Sequence, residues 1–190
     1  MEGPARDLLE DVILRAIYAE PAVRHVLFVG VAAYTAWYPR AFATRPRLTF
    51  VTVDPTPAER RHGSRKHHVV GRVEELADEP VYRDAFDVIV LNGLFGYGTD
   101  SRNQDRAVLD AAHALLAPSG RAVLGYGDEG SFTPDLVDPV RFEPYPVPGL
   151  GRPQHPAGSD NHHVFACFAK VTARQPAGRF AREAPAVPPR

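Results

Sequence analysis

A chain of 190 residues with a formal net charge of -1 fits one domain with a single core. It lacks the strongly basic balance expected of a nucleic-acid binder. Its one cysteine, Cys167, excludes an internal disulfide and, inside the alternating apolar run 163–169, reads as core filling rather than as a nucleophile. No stretch nears the roughly twenty apolar residues of a membrane span, and the N-terminus lacks a signal-peptide pattern, so the expected compartment is the cytoplasm.

Leu8, Leu9, Val12, Ile13, Ala16 and Ile17 mark a helical stripe over residues 7–18, with an early acidic turn. Residues 25–30 form a short all-apolar strand, the kind buried on both faces of a parallel sheet. Residues 33–42 suit a crossover helix that Pro39 shortens or kinks, and a second strand follows over 48–53. Thr56 and Pro57 combine an N-cap with a proline at the first helical position, and Gly63 is a natural stop, so a brief helix is expected between them. A small third strand over 68–71 leads to a helix over 73–83.

The clearest strand covers residues 86–91. A glycine-rich loop over 92–98, a helix over 103–116, a tight turn at 118–120 and a fifth strand over 121–125 complete the regular part. Alternating strand and helix predict right-handed crossovers and a doubly wound sheet. The last third breaks this rhythm. A helical stub over 135–137 precedes two strands, 140–145 and 163–170, with a Pro- and Gly-rich loop between them, which predicts an ending with one antiparallel strand. Residues 171–190, rich in Arg, Pro and Ala without periodicity, are expected to form a disordered tail.

This order resembles the class I S-adenosylmethionine-dependent methyltransferase family over roughly residues 7–170. VLFVG at 26–30 stands where that family has its first motif, and VTVD at 51–54 where the second strand ends in an acid. VGRVEE at 70–75, FDVIVLN at 86–92 and LLAPSGRAVL at 115–124 match the later motifs in order. The resemblance implies an α/β fold: a doubly wound, Rossmann-like, mostly parallel seven-stranded sheet with the last strand antiparallel, as a single domain over 1–170. It also implies a small-molecule methyltransferase with S-adenosylmethionine as cofactor.

The departures fall on the cofactor. Phe28 replaces the acid that usually precedes the glycine loop, Ala32 and Tyr34 replace two of its glycines, and Arg72 stands where an acid or polar residue is common near the adenine. Asp54 is intact and is expected to take the ribose hydroxyls. The implied cofactor residues are thus Gly30, Ala32, Tyr34, Asp54, Arg72 and Asn92. A Cβ at position 32 and a phenol at 34 occupy volume that methionine normally uses. Either the cofactor shifts, with Tyr34 supplying a wall or hydroxyl, or the pocket holds something else.

Parallel sheets bind ligands outside the carboxyl ends of their strands, which nominates the loops after residues 30, 54, 92 and 126. If the final strand is antiparallel, it starts at that same edge and brings His162 and His163 to the rim. Candidates for proton transfer are therefore Asp128, Glu129, His162, His163 and Tyr97, histidine titrating closest to neutral pH. No metal site is expected, because His62, His67 and His68 lie in a basic run with Arg60, Arg61, Arg65 and Lys66. Three functions stay open: a small-molecule methyltransferase in a biosynthetic pathway, an enzyme of the same fold that carries out cyclisation or elimination instead, or a non-catalytic partner of a catalytic relative. With no inserted cap to cover the site, a homodimer or a heterodimer with a related chain is expected, and neither nucleic acid nor membrane as a partner.

Overall fold

The computed structural model describes residues 3–96, 98–127, 132–157 and 162–172. Among them the strands are β1 (His25–Val29), β2 (Thr49–Asp54), β3 (His68–Val70), β4 (Phe86–Asn92), β5 (Leu116–Gly127), β6 (Phe142–Pro144), β7 (Gln154–Pro156) and β8 (His163–Lys170). They form one sheet in the order β3-β2-β1-β4-β5-β8-β6, with β7 also on β8. β1 to β5 run parallel, and β8 is antiparallel to β5, β6 and β7.

The strands are apolar on both sides because both faces are covered. Val26, Phe28, Val88, Val90 and Cys167 point to one face. That face packs on α1 (Pro4–Asp7), the π-helical segment Leu8–Leu14, α2 (Arg15–Ala19) and α3 (Tyr38–Phe42). Leu27, Val29, Ile89, Leu91 and Leu124 point to the other, against α4 (Val73–Asp78) and α5 (Arg102–Leu115). The period-two alternation along each strand thus feeds two cores rather than one.

Prolines interrupt two of the expected helices. The expected helix over 33–42 divides into a 3-10 turn, Ala33–Thr35, and α3 with Pro39 near its start. The brief helix expected between Thr56 and Gly63 is present with those bounds, as a 3-10 segment, Pro57–His62. Glu79, ahead of Pro80, is held extended at φ -79° and ψ 116°, as a residue before proline must be, so α4 stops at Asp78.

Two features of the carboxyl half differ from expectation. The turn at 118–120 lies inside β5 as a bulge, between the pairs Phe86↔Leu116 and Val88↔Arg121. The loop between the last two strands contains β7, giving eight strands instead of seven. β6 and β7 occupy successive lengths of the outer edge of β8. Tyr145 N donates to Cys167 O, and Cys167 N donates to Pro153 O, both at 2.9 Å. The two short strands are therefore one edge strand with an excursion looped out of it, and Pro144 and Pro156 are tolerated because an edge needs only half its donors. The excursion is anchored: Val147 is buried and Gly149, at φ +78°, lies against Val12 and Ala16.

The chain's N-terminal helical run is also tied to the sheet by charge. Arg121 of β5 reaches Glu20 with both guanidinium nitrogens, one at 3.2 Å, and its guanidinium stands 5.6 Å from the Tyr145 ring.

The bulge in β5 depends on Gly120, where a Cβ would sit 2.6 Å from Phe86 O and 3.0 Å from Ala117 O. Both obstacles are backbone. Gly120→Ala is expected to destabilise the fold by about 1–3 kcal/mol, the usual cost of overpacking a closed site. Urea unfolding of the variant against the parent checks this, and an unchanged midpoint would refute it.

Candidate functional site

The site begins where β1 stops. Gly30 has φ +81°, a backbone that L side chains rarely adopt, and its N–H donates to Val53 O at 2.9 Å. A Cβ there would meet nothing within 4 Å, so conformation rather than space calls for glycine. Ala32 is different. Its backbone is extended at φ -152° and ψ 172°, which any residue adopts, and its N–H donates to Thr35 Oγ1 at 3.0 Å. The second glycine of the expected pattern is not needed for this turn.

Asp54, at the end of β2, holds the loop in place. Its Oδ2 accepts from Val31 N at 3.0 Å and its Oδ1 from Thr56 N at 2.8 Å, while the residue is only 9% exposed. A carboxylate offers about four acceptor positions, so roughly two remain after these bonds. Asp54 lines a cavity of about 280 Å³ over the carboxyl ends of β1, β2 and β4.

Gly30, Tyr34, Asp54, Arg72 and Asn92 all line this cavity, and Ala32 does not. Five of the six expected cofactor residues thus converge on one space. Arg72 pairs with Glu74 at 3.1 Å, and its backbone N–H donates to Glu75 Oε2 at 3.0 Å, capping α4. Thr35, Thr56 and Glu74 line the cavity too. The spacing of Asp54 and Thr56 was a usable signal, since an acid two residues ahead of an amide commonly closes an Asx turn.

Tyr34 is at the mouth, 43% exposed. The Arg6 guanidinium lies 5.0 Å from its ring centre, and Arg6 Nη2 donates to Tyr34 O at 3.0 Å. Arg6 Nε also donates to Glu10 Oε1 at 2.7 Å, and the Tyr38 hydroxyl donates to the same oxygen at 2.6 Å. Burial, and then the bond to Glu10, push the Tyr38 hydroxyl's pKa upward, so it stays a donor. Contacts between residues some thirty apart left no signal in the sequence.

Of the expected acid and base residues, His163 is buried at the start of β8, and its Nε2 lies 3.3 Å from Asn92 Oδ1. An amide oxygen only accepts, so this pair requires the tautomer with its proton on Nε2. Burial lowers the pKa of His163 below the ordinary 6.5, which keeps the ring neutral. His163 does not line the cavity itself; it touches Asn92, which does. Gly125 makes room for the pair, because a Cβ there would stand 2.1 Å from Asn92 Oδ1 and 2.9 Å from His163 Nε2. His162 is exposed, at φ +47°, and outside the cavity lining. Tyr97, Asp128 and Glu129 lie outside the described residues, as do 173–190 of the expected tail. Cys167 is fully buried, and burial pushes its thiol up to about 12, as suits a core side chain.

The fold superposes on that of solved structures. The N-methyltransferase NodS from Bradyrhizobium japonicum superposes with a TM-score of 0.66 at 16% identity, over 90% of this chain and 99% of that one. The chain has the class I methyltransferase fold. A TehB-like SAM-dependent methyltransferase from Corynebacterium glutamicum superposes at 0.60 with 18% identity, covering 87% of this chain and 93% of its own. The Burkholderia thailandensis 1,6-didemethyltoxoflavin-N1-methyltransferase superposes at 0.55 with 20% identity, over 88% and 82%. That structure holds 1,6-didemethyltoxoflavin and S-adenosylhomocysteine, and NodS was also solved with S-adenosylhomocysteine. No protein-family model and no curated protein matches this chain. None of the described helices is long and apolar enough to cross a membrane.

The depressed pKa of His163 carries a pH signature. As pH falls through about 6.5, the unfolded chain takes up a proton that the folded chain resists, so stability is full above that value and declines below it. His68, His113 and His155 are shifted in the same direction. His163→Gln is therefore expected to flatten, without abolishing, the loss of stability between about pH 7.5 and about pH 5.5. Urea unfolding at the two pH values checks this. An equal loss in both proteins would mean that His163 is not held neutral by burial.

Proposed function

We propose that this chain is a small-molecule, S-adenosylmethionine-dependent methyltransferase of a biosynthetic pathway, acting in the cytoplasm. The observation that supports it best is the buried Asp54 carboxylate, with acceptor capacity left over, at the edge of a cavity opened by the Gly30 turn. A vicinal diol needs two acceptors there. The remaining lining residues would hold the same cofactor: the bare Gly30 backbone would admit close approach, Arg72 would border the adenine, and Tyr34 would wall the methionine. When bound, the cofactor supplies an electrophilic methyl group on sulfur.

The chain's own part is mostly positioning. Asn92, its oxygen engaged by His163, has its amide N–H groups left to orient an acceptor atom of the substrate. His163 is then a positioning residue rather than a base. A proton leaving the substrate nucleophile would pass to an acid or base, for which the sequence offers Asp128, Glu129, Tyr97 and His162 as candidates. Trp37, 44% exposed, packs its ring against Tyr38, and Tyr34 is 43% exposed; a second copy or a related chain over these aromatic side chains would exclude water from the site. Light scattering at tens of micromolar, with a monomer of full activity, would remove the dimer from this reading.

A second reading keeps the fold and replaces the cofactor. It is favoured by Tyr34, whose phenol stands in the cavity lining where the family pattern has glycine. Calorimetry with S-adenosylhomocysteine separates the two. Under the first reading the parent binds, and Asp54→Ala weakens binding by about 1.5–3 kcal/mol, the range for hydrogen bonds to a charged group. Unfolding curves must accompany that variant, since Val31 N and Thr56 N lose their partner too. Tyr34→Gly is expected to preserve or improve binding if the phenol merely crowds the methionine. No detectable binding by the parent would sink the first reading and leave the second.

A further inference from the structure

On the face of the sheet that carries α3, residues 61–67 close over a concavity of about 350 Å³. Arg61, Arg65, Lys66 and His67 come from this segment, and Arg40 joins them from α3, some twenty residues upstream. No acid lines the space. Among the described residues Arg40, Arg65 and Lys66 form no ion pair, and Arg61 donates only to His62, whose ring faces Glu59 at 3.8 Å. The floor is apolar: Ala36, Pro39, Ala43, Leu48 and Phe50.

A run of exposed cations is ordinarily a solvated face. Two structural facts argue against that. Arg40 is brought to the run by the fold. The segment that carries the others is also fixed rather than loose. Buried Thr52 accepts from Ser64 N at 2.9 Å through Oγ1, the same oxygen lies 2.9 Å from His68 Nδ1, and Thr52 N donates to His67 O at 3.0 Å. Ser64 Oγ accepts from His67 N at 3.2 Å. Gly63 is packed so closely that a Cβ would stand 2.1 Å from His68 Nδ1 and 2.7 Å from Thr52 Oγ1. A knot of buried Thr52 and Ser64 with half-buried His68 thus holds unpaired cations in a preset arrangement over an apolar floor, which lowers the ordering cost of binding.

We infer that this concavity is a second binding site, for a small organic phosphate. The phosphate would meet Arg40, Arg61, Arg65 and Lys66, arginine offering paired donors that match phosphate oxygens, and the apolar or planar body would lie on Leu48, Pro39 and Phe50. The concave shape, and the chain's net charge of -1, favour a small ligand over a nucleic acid. This inference does not depend on what fills the Asp54 cavity.

The test is equilibrium dialysis of the full chain, saturated with S-adenosylhomocysteine where that binds, against naphthyl phosphate, inorganic pyrophosphate and naphthol. Naphthyl phosphate is expected to bind with a dissociation constant below about 1 mM, weakening as salt is raised. Naphthol is expected to bind at least about tenfold more weakly. Arg65→Ala with Lys66→Ala, both exposed and outside the cores, should weaken naphthyl phosphate about tenfold or more and leave S-adenosylhomocysteine binding unchanged. Asp54→Asn should leave naphthyl phosphate binding unchanged. No binding of either phosphate, or binding indifferent to the double substitution, would overturn the proposal. So would a single-stranded oligonucleotide held far more tightly than naphthyl phosphate and released by the same substitutions, because the surface would then be a nucleic-acid interface.

Discussion

The carboxylate of Asp54 is the joint on which the site depends. One oxygen accepts from Val31 N in the loop after β1, and the other from Thr56 N at the start of the next crossover. Two neighbouring strand ends are thereby fixed to one charged group, mostly out of water, where each bond to the anion is stronger than a neutral one. The turn at Gly30 contributes shape, and the acid keeps that shape. This explains how a loop with one glycine in place of three can still be ordered. Ala32 is extended and needs no special backbone, so the loop's geometry survives on a single left-handed residue and an external anchor.

Around that joint, the fold assembles supports that act at a distance. On one side the N-terminal helical run reaches the loop through Arg6, which covers the Tyr34 ring and bonds its carbonyl, and through Glu10, shared by Arg6 and Tyr38. On the other side β8 brings buried His163 against Asn92. Burial sets the chemistry of both supports. The Tyr38 hydroxyl remains a donor because burial and its bond to Glu10 oppose ionisation, and His163 remains neutral because burial penalises the charged ring. The same desolvation makes Cys167 inert.

The edge of the sheet shows how a sequence rich in proline can still close a core. β6 and β7 share the outer side of β8, and the residues between them leave the sheet to pack Val147 and Gly149 on the first helical run. An interior strand could not carry that interruption, since every one of its amides is needed on both sides.

Period and punctuation made most of the fold legible. Runs such as residues 86–91, apolar on both faces, can only be central strands, and their order relative to the glycine turn and Asp54 implies a parallel sheet with its ligand at the carboxyl ends. Cys167 was likewise readable as core, because alternation alone decides which way a strand residue points. The helix over 73–83 was read too long, since its periodicity persists through Pro80 while α4 stops at Asp78, and the one over 33–42 divides into a 3-10 turn and a short α-helix around Pro39. β7 was not legible, because Gln154–Pro156 has no strand pattern of its own and exists only as a partner of β8. The same division runs through the site. Gly30, Asp54 and Asn92 follow from local rules about strand ends. That His163 stands behind Asn92, that Arg6 covers Tyr34, and that Arg40 meets residues 61–67 are contacts between distant segments, and only the packed sheet, by choosing which elements become neighbours, decides them.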